Sequence, residues 1–139
     1  MITLVPLCTM SLTLSKALDA GNTPTGRHMV SEIVAATVSG RLAGTLAGGA
    51  SADLFTMAAG GLMLPDVRLV IKTDDQAIVL IRYSGRLRYA PGQESVALTA
   101  PVFETGDARY QWLNDIQAVG KGVLAADLSV VDYEIYEIQ

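Results

Sequence analysis

The chain has 139 residues, 50% of them hydrophobic and 17% charged, with 14 acidic and 10 basic residues giving a net charge of −4. A sequence this apolar is not intrinsically disordered, and with roughly 100–200 residues per domain its length is that of one domain, residues 1–139. A pI near 4.8 excludes the basic footprint of a dedicated nucleic-acid binder, while one His and one Cys exclude an internal disulfide, a Cys₂His₂ zinc site and a three-His metal centre.

The first segment, MITLVPLCTMSLTLSKALDAG, has no Lys or Arg before Lys16, and Ser and Thr interrupt its apolar runs. It therefore reads as neither a secretory signal nor a membrane span, and a cytoplasmic location is expected. Alternation over residues 3 to 14 fits a first strand, with Cys8 as a small core residue. Turn signals then recur at Asp19 to Gly26, Ser39-Gly40, Gly48-Gly49, Gly60-Gly61, Asp74-Asp75, Pro91-Gly92, Thr105-Gly106-Asp107 and Gly120. Between them, strands are predicted at 28 to 38, 41 to 47, 52 to 58, 62 to 73, 76 to 89, 96 to 104, 116 to 126 and 128 to 138.

Only residues 107 to 114 look helical, with Asp107 as N-cap. One short helix cannot cover such a sheet, so the sheet must cover itself. The expected fold is all-β, a closed antiparallel barrel of about eight to nine strands with one short helix, and glycines within strands at Gly40, Gly44, Gly85 and Gly122 suit the bends that closure needs. The hairpin from Leu62 to Tyr89, turning at Thr73-Asp74-Asp75-Gln76, sets Arg68 roughly opposite Arg82 and Asp66 near Ser84. Both faces of its second strand carry apolar residues, as in Ile78, Leu80, Val79 and Ile81, which predicts a covering partner, most simply a second copy in a homodimer.

Several segments together resemble a known family. Thr23-Pro24-Thr25-Gly26-Arg27, Gly48-Gly49-Ala50 followed by Asp53, the run Val67 to Asp75, and the string Phe103-Glu104-Thr105-Gly106-Asp107-Ala108-Arg109-Tyr110-Gln111-Trp112-Leu113-Asn114 resemble the bacterial and fungal family filed as domain of unknown function 3237. The resemblance runs from about residue 4 to the C-terminal Asp132-Tyr133-Glu134-Ile135-Tyr136. It implies a small antiparallel barrel, dimeric or larger, whose interior cavity is similar to those of barrels that bind or cyclise small apolar molecules. Two departures stand out. Family members usually carry a Trp after the aspartate matched by Asp53, where this chain has Leu54, and a longer charged insertion where it has Ala90-Pro91-Gly92-Gln93. The first departure is expected to reshape the pocket.

Candidate chemistry follows from residue types. Arg68 and Arg82 on neighbouring strands would form a polar floor for an anionic or carbonyl oxygen, since paired guanidiniums in an apolar setting demand a counter-charge; the alternative is a structural ion pair from Asp66 or Glu104. His28 is the one side chain whose ordinary pKa lies near neutrality, and Arg27 beside it matches the family's loop arginine. Asp53 and Glu104 are carboxylates whose pKa would rise inside a barrel, so that either could exchange protons near neutral pH. Tyr83, Tyr110 and Trp112 offer aromatic walls and donors for a substrate.

There is no G-x-x-x-x-G-K-[ST] loop, no dinucleotide fingerprint and no G-x-S-x-G elbow, and no metal site or cofactor is expected. The reading that emerges is a cofactor-independent enzyme of lyase, isomerase or cyclase type. Its substrate would be an apolar small molecule bearing a carbonyl or carboxylate, with Asp53, Glu104 and His28 as candidate catalytic groups and Arg27, Arg68, Arg82, Tyr83, Tyr110 and Trp112 as candidate binding groups. A non-catalytic small-molecule-binding barrel and a structural oligomer are the alternatives, and no membrane or nucleic-acid partner is expected.

Overall fold

Alternation decides which side of each strand is buried. In the segment Asp66–Thr73, Val67, Leu69 and Ile71 are buried while Asp66, Arg68 and Lys72 are exposed; in Ile78–Arg88, Val79, Ile81, Tyr83 and Leu87 are buried while Arg82, Arg86 and Arg88 are exposed. Repeated along the chain, this period of two gives a curved sheet with one apolar inner face.

The computed structural model describes residues 1–139. Its strands are β1 (Leu4–Leu14), β2 (Leu18–Thr23), β3 (Gly26–Gly40), β4 (Gly44–Leu46), β5 (Ala52–Met57), β6 (Leu62–Leu64), β7 (Asp66–Thr73), β8 (Ile78–Arg88), β9 (Ser95–Thr99), β10 (Val102–Glu104), β11 (Ala118–Leu124) and β12 (Val130–Ile138). All pairings are antiparallel. Hydrogen bonding runs in the order β1-β12-β11-β9-β8-β6-β5-β7-β4-β3, and β1 returns to β3, which closes the barrel and removes its free edges. Ten strands lie on this path; β2 extends from β3 and β10 pairs with β8 outside it.

The strand count exceeds the expected eight to nine for identifiable reasons. The predicted strand 62 to 73 is broken at Pro65 into β6 and β7, which pair with successive stretches of β8. The predicted strand 96 to 104 is broken at Ala100-Pro101 into β9 and β10, which also run along β8. Proline has no N–H to give to a ladder, so each is a natural break. β2 lies where turns were expected. The Asp19 carboxylate accepts from the Gly21 amide at 2.8 Å, and the reversal contracts to Pro24-Thr25, leaving Leu18–Thr23 free to pair with β3.

The β7–β8 register is the expected one, with Asp66 opposite Ser84 and Arg68 opposite Arg82. Its turn is held by the Thr73 hydroxyl, which donates to Asp75 Oδ1 at 2.6 Å and accepts from the Ala77 amide at 2.8 Å. At Gly85 the strands cross so closely that a Cβ would stand 2.2 Å from the Leu98 carbonyl oxygen, so only glycine fits.

The expected helix is present over Ala108–Asp115, but as a 3-10 helix, with the Asp107 carboxylate accepting from the Arg109 amide. It stoppers the barrel end that carries the β7–β8 turn. Leu113 is fully buried, the Tyr110 hydroxyl donates to Asp75 Oδ1 at 2.8 Å, and the Arg41 guanidinium lies 4.7 Å over the Trp112 ring while pairing with Glu137 at 2.6 Å. Beneath it the core is built on Leu7, Leu42, Leu69, Ile71, Val79, Ile81 and Ile135, each of which contributes about 1.5–3 kcal/mol by burial. Cys8 belongs to this core, and burial pushes its thiol up to about 12, out of the reactive range. No helix is long and apolar enough to cross a membrane.

Candidate functional site

The opposite end of the barrel is not packed solid. A cavity of about 290 Å³ opens between the β1–β2 connection (Ser15, Lys16, Ala17) and the β11–β12 turn (Asp127, Leu128, Ser129), with Leu12, Ile33, Phe55, Met63, Val67 and Leu87 among its walls. That is the room of roughly ten waters, enough for a small organic molecule.

Three ionisable groups stand on this apolar wall away from the mouth: Asp53, Tyr83 and Tyr133. Alternation along β5 turns Asp53 and Phe55 inward and leaves Leu54 outside, 49% exposed. Ladder pairing then sets a row across the inner face, with Ser31 opposite Asp53, Asp53 opposite Val67, and Val67 opposite Tyr83. One strand therefore separates the carboxylate from the phenol, a backbone spacing of roughly 10 Å. Burial pushes the Asp53 carboxyl up to about 6; the Asp66 amide, which donates to Oδ1 at 3.0 Å, opposes the shift and the Asp66 charge adds to it.

Tyr83 and Tyr133 meet edge to face, with ring centroids 5.5 Å apart. Burial holds the Tyr83 phenol well above its ordinary range, with the Tyr133 and Asp53 charges acting in the same direction, and burial pushes Tyr133 up to about 12. Both are neutral donors at neutral pH. The two hydroxyls are near enough to bias each other, yet no hydrogen bond of acceptable geometry joins them, and the buried Tyr83 Oη has no partner.

The remaining expected site residues lie elsewhere. Arg68 and Arg82 do sit side by side, but on the outer face, exposed, in a shallow groove with Glu104 and Asn114. They form no polar floor in the cavity, because they share strand parity with Asp66 and Lys72 and oppose that of Val67 and Ile81. Glu104 on β10 is exposed on that same face. His28 projects to the outside of β3, opposite Thr56, and its ring nitrogens are held by the Thr25 and Thr56 hydroxyls at 2.7 and 3.0 Å. Arg27 is exposed and paired with Asp19. Tyr110 and Trp112 belong to the helix that stoppers the far end, and Asp75 and Arg41 engage them there. Leu54, in the place of the family's Trp, faces outward and does not reshape the pocket.

Tyr133 is not among the site residues expected from the sequence. Its signal was present: in β12 the inward positions Val131, Tyr133 and Ile135 alternate with Asp132 and Glu134, and the partner opposite Tyr133 on β11 is Gly122. A Cβ there would stand 2.4 Å from the phenol ring, so the glycine is what lets the ring lie over β11.

Comparison with known proteins agrees with this architecture. The chain superimposes on a β-barrel-like protein from Acinetobacter baumannii AYE with a TM-score of 0.88 at 24% identity, covering 100% of this chain and 97% of that one. A conserved protein of unknown function from Rhodopseudomonas palustris gives 0.87 at 21% identity, covering 100% and 99%. A structure described as an enzyme from Penicillium herquei gives 0.77 at 23% identity, covering 99% and 95%. No curated protein matches the chain. The family model described as a protein of unknown function, DUF3237, matches residues 2–138, and the chain therefore belongs to the DUF3237 family of small β-barrel proteins.

Proposed function

We propose that the protein is a cofactor-independent enzyme, of lyase, isomerase or cyclase type, that moves a proton on a small apolar molecule bearing a carbonyl. The observation that carries this reading is Asp53, a carboxylate on the wall of an apolar cavity whose pKa, raised by burial to about 6, suits it to act as a base at neutral pH. A base poised near the working pH combines the correct protonation state with enough driving force, and such groups contribute about 10²–10⁴-fold to rate. That a similar barrel from Penicillium herquei is described as an enzyme is consistent with a catalytic use of the fold.

The experiment is deuterium exchange at the enolisable C–H of α-tetralone, followed by proton NMR at pH 7. The parent should accelerate exchange at least about 100-fold over buffer, and Asp53→Asn should return it to background. Binding of α-tetralone without accelerated exchange would instead favour the carrier reading, in which the cavity holds a ligand and does no chemistry.

The protein is further inferred to be a two-fold dimer. Ile78 and Leu80 on the outer face of β8 are 47% and 50% exposed, with half-buried Val70 opposite Leu80 on β7. A symmetric contact is the common way to cover such a patch.

A further inference from the structure

We propose that Tyr133 and Tyr83 form a two-phenol relay that receives the oxyanion of an enolisable ketone, Tyr133 donating to the ligand oxygen and Tyr83 donating to Tyr133; the assignment rests on the proton-transfer reading of Asp53. It names the substrate class, a ketone with an acidic α C–H, and gives the two tyrosines distinct roles.

The argument starts from an orphaned atom. Tyr83 Oη is buried in the barrel interior without a hydrogen-bond partner. A buried hydroxyl normally finds a partner, and one that has none marks a place where a partner is supplied by something else. Tyr133 is the polar side chain packed against it, at 5.5 Å between ring centroids. Both rings line the cavity, and it is the Tyr83 oxygen that is enclosed without a partner, so Tyr133 is assigned the contact with the ligand. Once a ligand oxygen accepts the Tyr133 proton in a hydrogen bond, the Tyr133 oxygen becomes a better acceptor, and a small shift of the two adjacent rings brings the Tyr83 hydroxyl into line with it, giving Tyr83 the partner it lacks.

The chemistry balances without any added reagent. The Asp53 carboxylate takes the proton from the α carbon; the C–H pair becomes the C=C bond of the enolate, and the carbonyl π pair moves onto oxygen. That oxygen is held by the Tyr133 O–H. Return of the proton from Asp53 to carbon, at the same or a conjugated position, regenerates the carboxylate. Donors aimed at the developing charge in an apolar site stabilise it more than they stabilise the neutral ketone.

The test uses 4-nitrophenol, whose phenolate imitates the enolate oxygen and whose absorption reports its protonation state, titrated into the full-length protein at pH 8. Asp53→Asn removes the competing negative charge, so it should bind the phenolate at least about ten-fold more tightly than the parent. In that background Tyr133→Phe should weaken binding about 10- to 100-fold, the loss of one charge-assisted hydrogen bond. Tyr83→Phe should weaken it less and raise the pKa of the bound probe, and it should add nothing once Tyr133 is already Phe, since the two act in series. With a purely structural Tyr83, whose hydroxyl has no partner to lose, the phenylalanine variant would be at least as stable as the parent and would leave the bound probe's pKa unmoved. Both variants keep the ring that packs over Gly122 and should fold; if Tyr133→Phe does not, the probe's pKa in Tyr83→Phe decides. Binding of the neutral phenol, equal binding by Tyr133→Phe, or no binding to Asp53→Asn overturns the relay. The α-tetralone exchange dependent on Asp53 is read separately, so the relay can fail while the proton-transfer reading stands.

Discussion

Gly122 of β11 lies directly opposite Tyr133 of β12, and the phenol ring occupies the space that any larger residue at 122 would fill. A sheet position without a side chain thus sets where an aromatic group stands in the cavity wall. Gly122→Ala should cost about 1–3 kcal/mol by overpacking and, by displacing the ring, weaken 4-nitrophenol binding. Urea denaturation and titration of one sample read both effects. An alanine variant that melts and binds like the parent would show that the ring is placed by something else.

Asp53 should leave a mark on stability as well as on chemistry. Its folded pKa of about 6 lies above the ordinary 3.8, so between these values the native state keeps a proton that the unfolded chain has released. The contribution is therefore full below about pH 4 and is lost as pH rises through 6, a loss of roughly 1–3 kcal/mol by pH 7. Asp53→Asn cannot titrate and should not show it. The quantity to measure is the difference in unfolding free energy between pH 4 and pH 7, parent against variant; equal differences would mean that the carboxyl is not raised.

The outer-face positions should be silent in the cavity. Arg68→Met, Arg82→Met and His28→Asn remove side chains that lie on the exterior, and each should leave 4-nitrophenol affinity within about two-fold of the parent. A ten-fold loss in any of them would put that residue in contact with the ligand and reopen the outer groove as the binding surface.

Assembly is tested on Leu80. If the apolar patch around Ile78 and Leu80 is covered by a second copy, the protein should sediment at about twice 14.7 kDa at micromolar concentration, and Leu80→Glu should shift it to the monomer. A parent that sediments as a monomer sinks the dimer.

Local sequence carries much of this arrangement. The β7–β8 register followed from a local turn, because a hairpin's pairing is set by a few consecutive residues. The inward turn of Asp53 and Phe55 is contained in the period of two. So, in fact, is the outward turn of Arg68 and Arg82: Asp66, Arg68 and Lys72 on one side of β7 against Val67, Leu69 and Ile71 on the other already describe an exposed row. The expected polar floor passed over that parity, since Ile78 and Leu80 on the same side of β8 point to a covered outer face and not to the interior.

What the sequence by itself determined was the set of alternating, glycine- and proline-punctuated segments, and with too little helix to cover them it determined that the sheet must close. Only the tertiary structure decided which end of the barrel the 3-10 helix fills, which end stays hollow, and that Asp53 and Tyr133 share that hollow although they lie far apart in the chain. The reason is physical. Parity and turn chemistry act over a few residues, whereas meeting across a barrel depends on how all the strands stagger and twist, and no single segment carries that information.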